Sequence, residues 1–242
     1  MGNGHDSAAP NLEQGERVSL LLWPGPKEQH LSEGVGLEIR HTIGSRSFKT
    51  GGKWDFNYEG IVQWGSFSGR PIRAGALSED TGYTFREFRI RPRIGVRADI
   101  ATGDRGPHAN ALGSFNPLFE AAPAYSGPSG LLGPTNLIDL TPSLRMQFGK
   151  VSLTMESSSF WRQSLQDGIY SPAVASAPLV RRGYNSQSRY VATAPSATVA
   201  YQVTRHVFVS TTYTHFLTGP FLKESPPNRD VNYVASWVTY RF

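Results

Sequence analysis

A chain of 242 residues has room for one large domain or two small ones, and its lack of cysteine excludes disulfide frameworks, thiolate metal sites and cysteine nucleophiles. The formal net charge of +5 comes from basic residues scattered among acidic ones, with no Lys/Arg run, which argues against nucleic acid as a partner. With 38% hydrophobic residues and no apolar stretch long enough for a membrane helix, only strands could cross a bilayer.

Residues 1–16, MGNGHDSAAPNLEQGE, are polar and hold no apolar segment of a secretory signal. They are expected to form a disordered or truncated N-terminal segment before a β-domain at 17–242. Period-two alternation dominates that domain. Weak strand patterns run over 17–25 and 35–47. A strong one follows at 53–67, with Trp54, Phe56, Tyr58, Val62 and Trp64 on one face and Lys53, Asp55, Asn57, Glu59 and Gln63 on the other. A weak strand at 70–85 leads to 93–100, where Ile94, Val96, Ala98 and Ile100 oppose Arg93, Gly95, Arg97 and Asp99. At 138–148, Leu140, Leu144, Met146 and Phe148 alternate with Asp139, Ser143, Arg145 and Gln147, and Pro142 predicts an edge or a bulge. Strands at 151–162, 191–203 and 206–217 follow. The last, at 230–242, carries Val234, Val238, Tyr240 and Phe242 on one face and Trp237 and Arg241 on the other.

About ten strands result, most near the roughly 9–11 residues of a tilted membrane strand. Gly149-Lys150 and Thr204-Arg205 predict tight turns, whereas 103–136, 163–189 and 218–229 are long and rich in Gly, Pro, Ser and Asn. Short turns at one end and long loops at the other are a barrel trait. A soluble sandwich alternates too, so the pattern leaves both architectures open. Trp54, Trp64, Tyr83, Trp161, Tyr190 and Tyr213 near strand ends suit interfacial girdles.

Several blocks go further. SEDTGYTF, RPRIGVRADIATGDRGPHANALGSFNPLF and GPTNLIDLTPSLRM, followed by SSSFWRQSLQDGIYSP, SRYVATAPSATVAYQVTRHVFVSTTYTHFLTGPFL and DVNYVASWVTYRF, resemble the alginate-export family of outer-membrane proteins. The resemblance covers about residues 17–242, with one departure at Glu120, where a proline is expected. It implies an all-β, antiparallel transmembrane barrel of about eighteen strands, monomeric, in the outer membrane of a Gram-negative bacterium. Its function would be passive export of an anionic polysaccharide such as alginate. The ten strands would then be an incomplete, C-terminal part of that barrel. Lipid bilayer and lipopolysaccharide are implied partners, with the barrel-assembly machinery engaging the terminal strand. Alternatives are a general porin for small anionic or hydrophobic solutes and a non-conducting structural or adhesion barrel.

Arginine suits a polyuronate path because its planar fork pairs with carboxylates and keeps its charge. Arg40, Arg73, Arg93, Arg97, Arg145 and Arg241 fall on inferred polar faces with Asp99 and Asp139, and are the expected lumen residues; mutual structural ion pairs are the competing explanation. Asp104-Arg105 is read as a turn after the strand at 93–102, within a loop able to plug the pore. No cofactor, metal site or enzyme chemistry is expected. The six histidines lack ligand spacing, and Ser210 and His215, five apart on a strand, face opposite ways.

Overall fold

The computed structural model describes residues 14–22, 26–31, 34–106, 108–117, 127–172, 178–180, 186–225 and 228–242. Residues 1–13 and Glu120 lie outside them. The chain forms one antiparallel sheet with ten strand positions. β1 (Gln14–Leu22) and β2 (Lys27–Leu31) share the first position, because both pair with β3 (Gly34–Thr50). Leu22 pairs with Thr42 and Lys27 with Glu38, so the register slips by one residue between the two segments, as at a β-bulge. β4 (Trp54–Phe67), β5 (Arg70–Thr84), β6 (Arg93–Ala101), β7 (Leu137–Phe148) and β8 (Val151–Arg162) follow in order. The next connection carries a small hairpin of β9 (Ile169–Tyr170) and β10 (Pro178–Val180). β11 (Tyr190–Gln202), β12 (Val207–Thr218) and β13 (Val231–Tyr240) complete the sheet. Among the described residues β1 pairs with β3 and β13 with β12, and no ladder joins β1 to β13.

Strict alternation gives the sheet two unlike faces. One is bare and apolar: Leu37, Ile43, Val62, Leu77, Ile94, Leu140, Met155, Val199, Val234 and Val238 all point out of it with large exposure. A water-soluble protein would have to bury such a continuous surface. The opposite face holds Glu38, Arg40, Gln63, Arg97, Asp99 and Asp139 and is covered by the long connections. Aromatic residues gather at both ends of the bare face. Trp54, Tyr83, Phe85 and Phe88 form a chain of edge-on contacts at one end. Trp64 meets His41, and Trp161 meets Tyr190, at the other. Trp54 and Trp64 lie ten residues apart on one strand, about 33 Å along it. At a tilt of about 40° that spans ~25 Å, the height of the apolar band of a membrane barrel.

The connections separate into a turn end and a loop end. The turn end holds 51–53, 85–92, 149–150 and 203–206; the loop end holds 102–136, 163–189 and 219–230. The expected length alternation fails in the first half, where the loop-end connection of β4 and β5 is Ser68-Gly69 alone. Ser68 at φ 49 and Gly69 at φ 84 make the mirror-image turn that matches strand twist. Pro142 also departs from expectation. It sits in an interior strand, opposite Val96, and the β7–β8 register is unchanged on either side of it. No bulge is needed, because its ring points out of the bare face and only the ladder to β8 lapses locally.

Two apolar clusters fix the connections to the covered face. Leu112 and Phe115 pack on Phe67, Ile72, Ala74 and Ala101. Leu132, Ile169 and the short helix α1 (Pro220–Lys223), with Phe221 and Leu222, pack on Leu137, Phe160, Ala192 and Phe216. The loop end of the sheet therefore has its hydrophobic core beneath the loops, on the face that is otherwise polar.

Candidate functional site

The connection after β6 turns back along the sheet. Leu112 bridges to Ile72, accepts a hydrogen bond from the Arg73 amide and donates one to the Pro71 carbonyl. Gly113 permits the return: a Cβ there would lie 2.5 Å from the Gly103 carbonyl oxygen. Asp104 pins the turn. Its carboxylate is 1% exposed, pairs with Arg70 at 3.1 Å and accepts the Gly113 amide. Arg70 also donates to the carbonyls of Gly106, Ala109 and Ala111. The reading of Asp104 as a plain turn residue is thus corrected: it is a buried anchor. Asp167, from the β8–β11 connection, adds a second pin by accepting from the Asp104 amide, Ser114 Oγ, the Gly168 amide and Tyr170 OH. Burial pushes the Asp167 carboxyl above the ordinary carboxylate range, against the pull of those bonds.

Below this pin lies a buried polar network. Arg40, 2% exposed, donates to Glu38, Gln63 Oε1 and the Ser114 carbonyl. Asn116 donates its amide to Gln63 and its side chain to Glu38, and its carbonyl accepts from Gln63 Nε2. Asn116 is the point where the loop docks on β3 and β4. Next toward the turn end, Arg97 pairs with Asp99 at 3.2 Å and Asp139 at 2.9 Å. Asp99 and Asp139 stand opposite each other in register, and Arg97 offsets that like-charge pair. A cavity of about 320 Å³ lies beside this layer, lined by the apolar Ile61, Ala76, Ala101, Phe115 and Leu137 and by the polar Gln63, Arg46 and Asp99.

The turn end is basic. Arg46, Arg91, Arg93 and Arg145 line a second cavity of about 510 Å³, where the carboxylates are Asp55 and Asp80. Arg93 takes up both, bonding Asp55 at 3.0 Å and Asp80 at 2.6 Å. Arg145 lies directly across from Arg93 in register, exposed and with no ion pair among the described residues. Arg46 donates to Asn57 and is likewise exposed.

The expected lumen residues therefore divide. Arg40, Arg93, Arg97, Asp99, Asp139 and Arg145 share the covered face, the first five within ion pairs. Arg241 lies just past β13 in the phase of that face, with its guanidinium 4.8 Å from the Phe208 ring. Arg73 is a correction. It pairs with Trp64 and points with it out of the bare face, because the phase of β5 is fixed by Ile72 and Ala74 under Leu112. Glu79 shares the phase of Arg73. Arg46 and Arg91 went unnoticed. Arg46 is in phase with Arg40 and could have been found; Arg91 lies in a turn, where no periodicity reports direction. Ser210 and His215 do face opposite ways, and His215 bonds Asn232.

Among families, the one described as alginate export matches residues 6–236. Among solved structures, a NanC porin in a rhombohedral crystal form is similar over 95% of this chain and 95% of its own, at 8% identity and a TM-score of 0.44. No curated protein matches.

Proposed function

The chain belongs to the alginate-export family, and from that premise we propose that it is an outer-membrane channel through which an anionic polysaccharide such as alginate leaves passively, past arginines of the covered face. The basic turn-end cavity carries this reading. Four arginines and Lys49 line it against two carboxylates, both taken up by Arg93, and Arg93 stands across from Arg145 although like charges opposite each other destabilise a sheet. A polyuronate supplies one carboxylate per sugar and would neutralise the excess. Fixed acids nearby keep the attraction shallow enough for the polymer to move on. Short turns mark the periplasmic side in barrels of this kind, so the basic cavity would be the mouth a polymer meets first. The loops pinned by Asp104 and Asp167 would narrow the far side. Membrane insertion also requires that the edges of β1 and β13 be paired, since an open edge in lipid leaves backbone groups unsatisfied. By family likeness alone we assign the sheet to a closed barrel of about eighteen strands.

The apolar-walled cavity beside Phe115 favours a second reading, a porin for small hydrophobic or mixed solutes. Planar-bilayer recordings separate the two. Polyuronate added on the turn-end side is expected to block the current, and Arg91→Ala with Arg145→Ala to weaken the block about tenfold or more. Conductance indifferent to polyuronate supports the small-solute porin. A full chain that inserts but never conducts removes both in favour of a structural barrel.

A further inference from the structure

Arg73 has no role in the transport path, yet it does not stand alone. It lines a cavity of about 510 Å³ with Thr102, Arg105, His108, Asn110 and Gln163. Arg73, Thr102 and Gln163 are all in the phase of the bare face, so this cavity opens at the loop-end rim of the apolar surface, beside Trp64 and Trp161. Its wall is one-signed. Two side chains are guanidinium groups, one is an imidazole, two are amides, and no carboxylate is among its described lining residues. Asp104, which lies between the lining residues Gly103 and Arg105, is buried and taken up by Arg70. Arg73, Arg105 and His108 are exposed and make no ion pair or side-chain hydrogen bond among the described residues. Such a cluster has no structural use here; it repels itself and holds nothing together.

We propose that this cavity binds a phosphate group of a lipid headgroup at the membrane surface, on a phosphorylated glycolipid of the lipopolysaccharide type. The inference rests on the membrane reading above. Two features select a lipid over a free anion. The cavity is continuous with the apolar face that would hold acyl chains, and the Trp64 and Trp161 rings mark the headgroup level beside it. It also opens away from the covered face, so a polymer in the lumen would not pass it. Arg73 and Arg105 would grip phosphate oxygens by charge-assisted hydrogen bonds, with His108 and the two amides as further donors.

The test is lipid retention by the purified full chain in detergent, read by native mass spectrometry, against added phosphorylated lipid A, its dephosphorylated form and inorganic phosphate. Phosphorylated lipid A is expected to bind at least about tenfold more tightly than the dephosphorylated form. The triple variant Arg73→Gln, Arg105→Gln, His108→Gln should lose that preference, whereas Lys150→Gln with Arg205→Gln, at the turn end, should keep it. All five side chains are exposed, and secondary structure by circular dichroism checks that the variants fold. Equal retention of both lipids, or an unchanged preference in the triple variant, overturns the proposal. Displacement by millimolar inorganic phosphate would overturn it in favour of a free-anion site. A chain that fails to insert into bilayers defeats the membrane reading itself. One that inserts and conducts without phosphate preference defeats the lipid site alone.

Discussion

Replacing Asp104 by alanine tests whether charge or apolar burial holds the loop over the covered face. The carboxylate is 1% exposed and receives two nitrogens of Arg70, the closest at 3.1 Å, and the Gly113 amide at 3.0 Å. Breaking a fully buried ion pair costs roughly 3–5 kcal/mol. Arg70 is 22% exposed and keeps three carbonyl acceptors, so its stranded charge is partly solvated. A loss of about 2–3 kcal/mol is therefore expected, which corresponds to a rise of roughly 30- to 150-fold in local opening. Hydrogen exchange resolved to peptides should show it at the amides of Leu112 and Phe115, which bond to Pro71 and Thr102. Protection in β7 and β8 should not change. Asp104→Asn, which keeps one acceptor oxygen, should fall between. If Leu112 and Phe115 stay as protected in the alanine variant as in the parent, the pin is dispensable. The burial of those two side chains, worth about 1.5–3 kcal/mol each, would then suffice.

Three further outcomes are expected. Leu77→Arg, on the bare face at 64% exposure, should destabilise insertion by roughly 2–4 kcal/mol in vesicle folding titrations, while Ser78→Arg on the covered face should change it by much less; equal effects would refute the assignment of faces. Arg40→Ala strands Glu38 in a site 1% exposed, so stability in urea should fall by about 3–5 kcal/mol, with block by polyuronate little altered if Arg40 is structural. Asp230, held below the ordinary carboxylate range by the Thr218 amide and hydroxyl, contributes stability that is present above its unfolded pKa and lost as pH falls through its folded one. The protection factor of the Thr218 amide, its exchange rate corrected for the intrinsic dependence on pH, should thus fall on acidification, and that fall should vanish in Asp230→Asn.

The number of strands, their order and most of their bounds were legible because period two is a local property. Each residue of Trp54–Phe67 declares its side by its neighbours. Resemblance in the GDR, FNPLF and GPTNLIDL blocks then pointed to the family, which composition could not. The sequence did not tell which charges are free. Arg40, Arg93 and Arg145 look alike in a strand, and only the partners that strand register and loop folding bring to them separate a buried pair from an exposed cation. Arg73 shows a second limit. Its side was decided by Leu112, far away in the chain, covering Ile72.

Period, turn chemistry and the two-faced sheet were thus determined by the sequence itself, since they depend on residues a few positions apart. The pinned loop, the basic mouth and the bare-face cavity were decided by the tertiary structure, because each joins side chains from segments whose separation along the chain carries no signal of their contact.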